Sequence, residues 1–241
     1  TLGTGMLIAN GATSGFERGA LKLGPRKAWE GAAIGRLTFG SVSGMAFFLD
    51  PNELPSTDGS NELAGFDLRH DDPAGGYLGA TYVEVLQSDS PYPQAAPGGI
   101  GPPTVTPGAR EGTRTFGLYG KTNLLTGGLK NWAFSGEVAY QWNNRIDLEA
   151  WAGRITAGYD FVQLPWSPSL TLGYQSFSGD DPHTTKLERF DPLYYQGSPS
   201  AWATGSKSAS TFINSNVNAL TLALRVQPRP QDTWTLRYAH I

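Results

Sequence analysis

Eight cations recur at positions of strand-like spacing: Arg18, Lys22, Arg36, Arg69, Lys121, Arg154, Arg225 and Arg237. Each falls on the small or polar side of a segment whose alternate residues are apolar. By the same parity four acids, Asp67, Glu84, Glu137 and Asp160, join them. The whole chain is acidic, with a formal net charge of -3, so a cationic excess on one face does not follow from composition. Guanidinium and ammonium groups facing one space concentrate anions there. Rings of Arg and Lys are the usual device for anion selectivity in a pore, and Arg offers a planar fork that takes a carboxylate two-pronged. The competing reading is an Arg–Glu ladder that only braces a wall. The eight cations, with Glu137 and Asp160, are the candidate pore-lining set. Lys121, Arg154, Arg225 and Arg237 each sit mid-strand and are expected at one depth.

Other chemistries find no support. His70, His183 and His240 are scattered, whereas a zinc site needs clustered ligands. The chain has no cysteine, which removes disulfides and thiolate chemistry. The acidic stretches Asp50-Pro51-Asn52-Glu53 and Asp180-Asp181-Pro182-His183 offer oxygen ligands, and read first as solvated turns. Gly3-Thr4-Gly5 is too short for a nucleotide loop. Ser14 has no general-base His nearby in sequence, so no nucleophile–base pair emerges. No catalytic residue, metal or cofactor is assigned, and the net charge gives no nucleic-acid signature.

The elements that carry the cations are strands. Charged residues are 16% of the chain, against about 25% in typical globular domains. No run of about 18 apolar residues exists, which excludes a helical membrane span. Period-2 alternation dominates instead. Trp132, Phe134, Val138, Tyr140 and Trp142 share one face, and Ala133, Ser135, Glu137 and Gln141 the other. Trp at both ends of a ten-residue apolar face is the aromatic girdle of an outer-membrane barrel, because the ring body is apolar and its N–H reaches water. The expected strands are 2–8, 16–23, 32–40, 44–49, 64–70, 76–87, 113–125, 132–142, 147–162, 169–178, 213–227 and 233–241. A soluble sandwich is the weaker alternative, since its strands run to about 5 or 6 residues.

Short connections (9–15, 41–43, 71–75, 126–131, 163–168, 228–232) alternate strictly with another set (24–31, 51–63, 88–112, 143–146, 179–212). That is the order of an up-and-down antiparallel barrel, with short periplasmic turns and long outer loops at 51–63, 88–112 and 179–212. The expectation is one all-β transmembrane domain over 1–241. Strand 1 then starts, and strand 12 ends, on the loop side. Both termini are therefore expected to lack strands of a larger barrel, with a complete 12-strand barrel as the alternative.

One stretch resembles a known family. Arg189-Phe190-Asp191-Pro192-Leu193-Tyr194, then Trp202, Asn214-Ser215-Asn216-Val217 and the turn Pro228-Arg229-Pro230-Gln231-Asp232, are similar to the C-terminal region of the alginate export porins. The resemblance covers roughly 190–240 in detail and the rest by pattern. It implies a bacterial (Gram-negative) outer-membrane barrel of about 18 strands with an arginine-rich lumen that passes a polyuronate. The proline-rich segment 88–112 and the acids on several strands depart from the family's pattern. The function expected is export or conduction of an anionic polysaccharide, or another anionic solute, without catalysis. The alternatives are a small-solute uptake porin and a barrel anchoring an envelope assembly. Expected partners are outer-membrane lipid, the anionic solute and periplasmic or envelope proteins.

Overall fold

The computed structural model describes residues 29–51, 59–73, 75–124, 130–191, 193 and 216–241. The strand candidates 2–8 and 16–23, with Arg18 and Lys22, lie outside the described residues. The strands are β1 (Trp29–Phe39), β2 (Val42–Pro51), β3 (Glu62–Asp71), β4 (Tyr77–Gln87), β5 (Tyr92–Gln94), β6 (Thr104–Thr106), β7 (Arg114–Leu124), β8 (Trp132–Asn143), β9 (Leu148–Asp160), β10 (Ser169–Phe177), β11 (Val217–Arg229) and β12 (Asp232–His240). Ten form one sheet in the order β1-β2-β3-β4-β7-β8-β9-β10-β11-β12. Every neighbour pair is antiparallel. β1 and β12 are the edges of this described sheet. The small hairpin β5–β6 is separate.

The connections define two ends. At the turn end β1 joins β2 through Gly40 and Ser41, with Gly40 at φ 58°, where glycine is unstrained. At the loop end lie the connections 88–113 and 144–147 and the described stretches 59–61 and 178–191. The strands are long because alternation continues unbroken across them. β8 has 12 residues and β9 has 13.

The two faces differ. One carries Phe66, Leu68, Leu78, Val138, Trp151, Ile155, Leu172, Trp234 and Leu236, all exposed. On it Trp132 stacks with Phe134 and meets Tyr159 near the turn end. Tyr140, Trp142, Tyr82 and Phe66 group toward the loop end. Ten residues separate Trp132 from Trp142, about 33 Å along the strand. At a tilt near 40° that is about 25 Å of height, the apolar band of an outer-membrane barrel. In water such a continuous apolar surface is an aggregation hazard; against lipid it is the preferred solvent.

The opposite face is covered at its loop end. Phe47, Leu49, Leu63, Val83, Val85, Ala150, Ala152 and Phe177 form a core there with Tyr92, Ala109, Leu187, Phe190 and Leu193 from the loops. The segment 88–112, expected as an outer loop, therefore folds back over the sheet. A short 3-10 turn at Pro97–Gly99 lies within it. Its prolines are compatible with this because a loop needs no ladder hydrogen bonds.

Candidate functional site

Residues opposite each other on paired strands share a face. The row Tyr119, Glu137, Arg154, Gln175, Ala219 runs across five strands. Arg69 joins it through Gly79, and Arg36 lies one row nearer the loops through Met45 and Asp67. Lys121, Asp160, Arg225 and Arg237 follow by parity. The register thus puts Arg36, Arg69, Lys121, Arg154, Arg225, Arg237, Glu137 and Asp160 on the covered face. Trp151 and the girdle aromatics take the bare one.

Two acids lie elsewhere than the sequence suggests, Glu84 against its parity and Asp71 against its expected place in the connection 71–75. Glu84 is opposite Arg114 and Ala64 on the bare face, accepting from Arg114 at 3.0 Å and from the Tyr82 hydroxyl at 3.0 Å. Its neighbours Val83 and Val85 turn inward because the loop core there needs apolar contacts. A carboxylate at the loop-end rim costs little against lipid compared with one at mid-height. Asp71, which sequence reasoning gave to a turn, instead ends β3 on the covered face and binds Arg69. Among described side chains this face carries six strand cations and the acids Asp67, Asp71, Glu137 and Asp160, so Asp71 takes the place of Glu84 and the cationic excess over these residues is the one parity gives.

The geometry sorts the cations. Arg154 Nη2 lies 3.3 Å from Glu137 Oε2, and both are largely buried. Arg69 donates through Nε to Asp71 at 2.8 Å and stacks over Tyr77, 4.0 Å from the ring centre. Arg36, Lys121, Arg225 and Arg237 make no ion pair among the described residues and are exposed. Asp67 is held by the Tyr119 hydroxyl at 2.9 and 3.0 Å and by Thr81. Tyr119 reaches it by lying over Gly79, where a Cβ would stand 2.3 Å from the ring. Only glycine fits beneath it.

The heights follow from the register. From the row Arg36–Met45–Asp67–Thr81–Gly117, Arg69 lies two residues toward the turn end, two strands on. Lys121 lies four residues away, four strands on. The row continues through Ala139, Ala152, Phe177 and Val217, from which Arg225 lies eight residues away, eight strands on. The drift is one residue per strand. A strand rises about 3.3 Å per residue and its neighbour is about 4.8 Å away. Such a line is level at a strand tilt of about 35°, within the range of membrane barrels. The direction also agrees. The Asp71 amide donates to Ser41 O and the Ser178 amide to Trp151 O. With their side chains on opposite faces, both bonds set successive strands to the left, seen from the bare face with loops upward. Right-handed strand coiling then makes a level line drift toward the turns. Arg154 and Arg237 lie off the line, four and three residues nearer the loops. At a tilt of about 35° the register would bring Arg36, Arg69, Lys121 and Arg225 level, whereas the four cations expected at one depth, Lys121, Arg154, Arg225 and Arg237, do not fall on one such line.

Above them the loops are pinned. Asp180 accepts from the backbone amides of Ala95, Glu188 and Arg189 at 2.9–3.1 Å. Arg110 pairs with Asp191 at 2.6 Å. Gln141 donates to Asp191 O and accepts from its amide at 2.6 and 2.8 Å. The Tyr92 hydroxyl donates to Arg189 O, and burial holds its phenol above the ordinary tyrosine range. The Phe190-Asp191 pair is thus an anchor: Phe190 fills the core against Phe177 and Asp191 ties the loop to β8. No group of three or more His, Asp or Glu able to hold a metal occurs among the described residues.

No curated protein and no solved structure matches the chain. A family model does, described as alginate export, over residues 108–240. That span holds the anchor, β7 to β12 and the cations Lys121, Arg154, Arg225 and Arg237. The family is one of outer-membrane β-barrel transport porins, not of enzymes. By this match over more than half its length, the chain belongs to the alginate export family.

Proposed function

We propose that this sheet closes, with further strands along β1 and β12, into a single outer-membrane barrel whose covered face lines a pore for an anionic polysaccharide. An open edge in lipid leaves backbone groups unsatisfied at several kcal/mol each, so both edges require partners. The carrying observation is the line Arg36–Arg69–Lys121–Arg225. At about 35° of tilt these four cations form a belt at one height. Above it Arg154 and Arg237 offer the next positions. A polyuronate carries a carboxylate on every sugar and can pass from one cation to the next without losing a partner. Exposed pairs of this kind are worth about 0–1 kcal/mol each, weak enough to exchange.

The acids beside the cations, Glu137 against Arg154 above all, also fit a small-solute porin with opposed charges at its narrow part. Ion selectivity tests the anionic pore. The full-length protein in a planar bilayer, in a salt gradient, gives a reversal potential of anion-selective sign. The double variant Lys121→Ala, Arg225→Ala moves it toward zero. Cation selectivity in the parent contradicts the proposal.

A further inference from the structure

A hollow of about 360 Å³ lies in the sheet between Lys121 and Gln175. Its floor is made by small residues, Ala133, Gly158 and Gly173. Hydroxyls ring it: Ser135, Thr156 and Thr221 occupy one row with Lys121, and Thr171 the next. Ser135 and Thr156 hydrogen-bond each other at 2.6 Å, which leaves one proton of the pair to donate outward.

The second observation is Gln175. It is 6% exposed and lines the hollow, yet its Nε2 has no hydrogen-bond partner among the described residues. A buried N–H left unmade is costly, and natural structures rarely keep one. The last torsion of a glutamine is soft, so a small rotation presents both N–H groups to an occupant of the hollow. Among the described residues, what is missing at Gln175 is an acceptor oxygen.

Resting on the pore reading above, we infer that this hollow is a subsite for one uronate residue of the passing chain. Its carboxylate lies toward Lys121 and Arg154, one ring or carboxylate oxygen accepts from Gln175, and its hydroxyls meet Ser135, Thr156 and Thr171. A neutral sugar would satisfy the hydroxyls and leave Lys121 without an anion, Arg154 being already paired with Glu137. An anion without hydroxyls would do the reverse. The hollow therefore distinguishes an acidic sugar from either.

The test uses the full-length protein in planar bilayers, with a hexamer of a 1,4-linked uronic acid and one of 1,4-linked glucose as probes. The uronate hexamer interrupts the current with resolvable dwell times, and the glucose hexamer does so at least about tenfold more briefly. Gln175→Leu and Thr171→Val each shorten the uronate dwell about threefold or more. Gln175→Asn, which keeps the amide but withdraws it by one methylene, shortens it too and covers the case in which the leucine variant does not fold. Unchanged dwell times in Gln175→Asn and Thr171→Val, in a parent that is anion-selective and blocked, overturn the subsite and leave the pore reading standing. Equal dwell times for the two hexamers overturn it as well. A parent that is neither anion-selective nor blocked removes the pore reading, and the subsite with it.

Discussion

Glu137 and Arg154 face each other on β8 and β9, 3.3 Å apart, on the face turned from the girdle aromatics. Arg154 stands four residues and Glu137 three nearer the loops than the belt of cations, so the acid tempers the charge just above it. Glu137→Gln removes a negative charge and releases the guanidinium to solution anions. It is expected to raise the anion-to-cation permeability ratio about twofold at 0.1 M salt and less at 1 M, where screening acts within about 3 Å. Reversal potentials at the two salt concentrations check this.

The bare face makes a prediction about lipid. Val138 lies midway between the girdles and is exposed. Val138→Arg is expected to cost roughly 2–4 kcal/mol of folding into a bilayer. Ala223→Arg, on the covered face opposite Arg237, is expected to cost less than about 1 kcal/mol. Urea titration of the protein folded in vesicles measures both.

The loops make another. Asp180 is nearly buried and holds three amides. Asp180→Ala leaves those donors without their charged acceptor, a loss of about 1–3 kcal/mol. The expected result is faster proteolysis within 88–112 and 179–191 while the strands stay protected.

Tyr92 sets a pH limit on the same cover. Its folded phenol ionises above the ordinary value of about 10. The stability this lends is complete below about pH 10 and falls at higher pH, as the unfolded phenol ionises first. Tyr92→Phe removes both this pH dependence and the bond to Arg189 O. Unfolding midpoints of parent and variant between pH 8 and 11 test the sign.

Much of this was legible in the residues. Alternation from Trp132 to Trp142 located β8 and its two faces, and the same rule located its neighbours to within a few residues. What parity could not supply was the loop core. Near the loop end the covered face is as apolar as the bare one, so Val83 and Val85 disguised the true side of Glu84. Nor did spacing within one strand reveal height. Arg154 and Lys121 look equally central in sequence, yet pairing sets Arg154 above the belt. Tyr119 and Gln175 were unreadable as site residues because their parts depend on partners across the sheet: Gly79 beneath the ring, and the missing acceptor in the hollow. The Phe190-Asp191 motif was visible as a resemblance, while its physical work as a loop anchor needed Phe177 and Gln141 beside it.

The central claim is that this face carries an acidic polymer, and inhibition by such a polymer tests it most directly. Chloride conductance through the full-length protein is measured while a long polyuronate is added to one side, at 0.1 M and at 1 M salt. The expected result is concentration-dependent block at 0.1 M, weakened severalfold at 1 M and in the Lys121→Ala, Arg225→Ala variant. Conductance indifferent to the polyuronate at 0.1 M contradicts it and leaves the small-solute porin in its place.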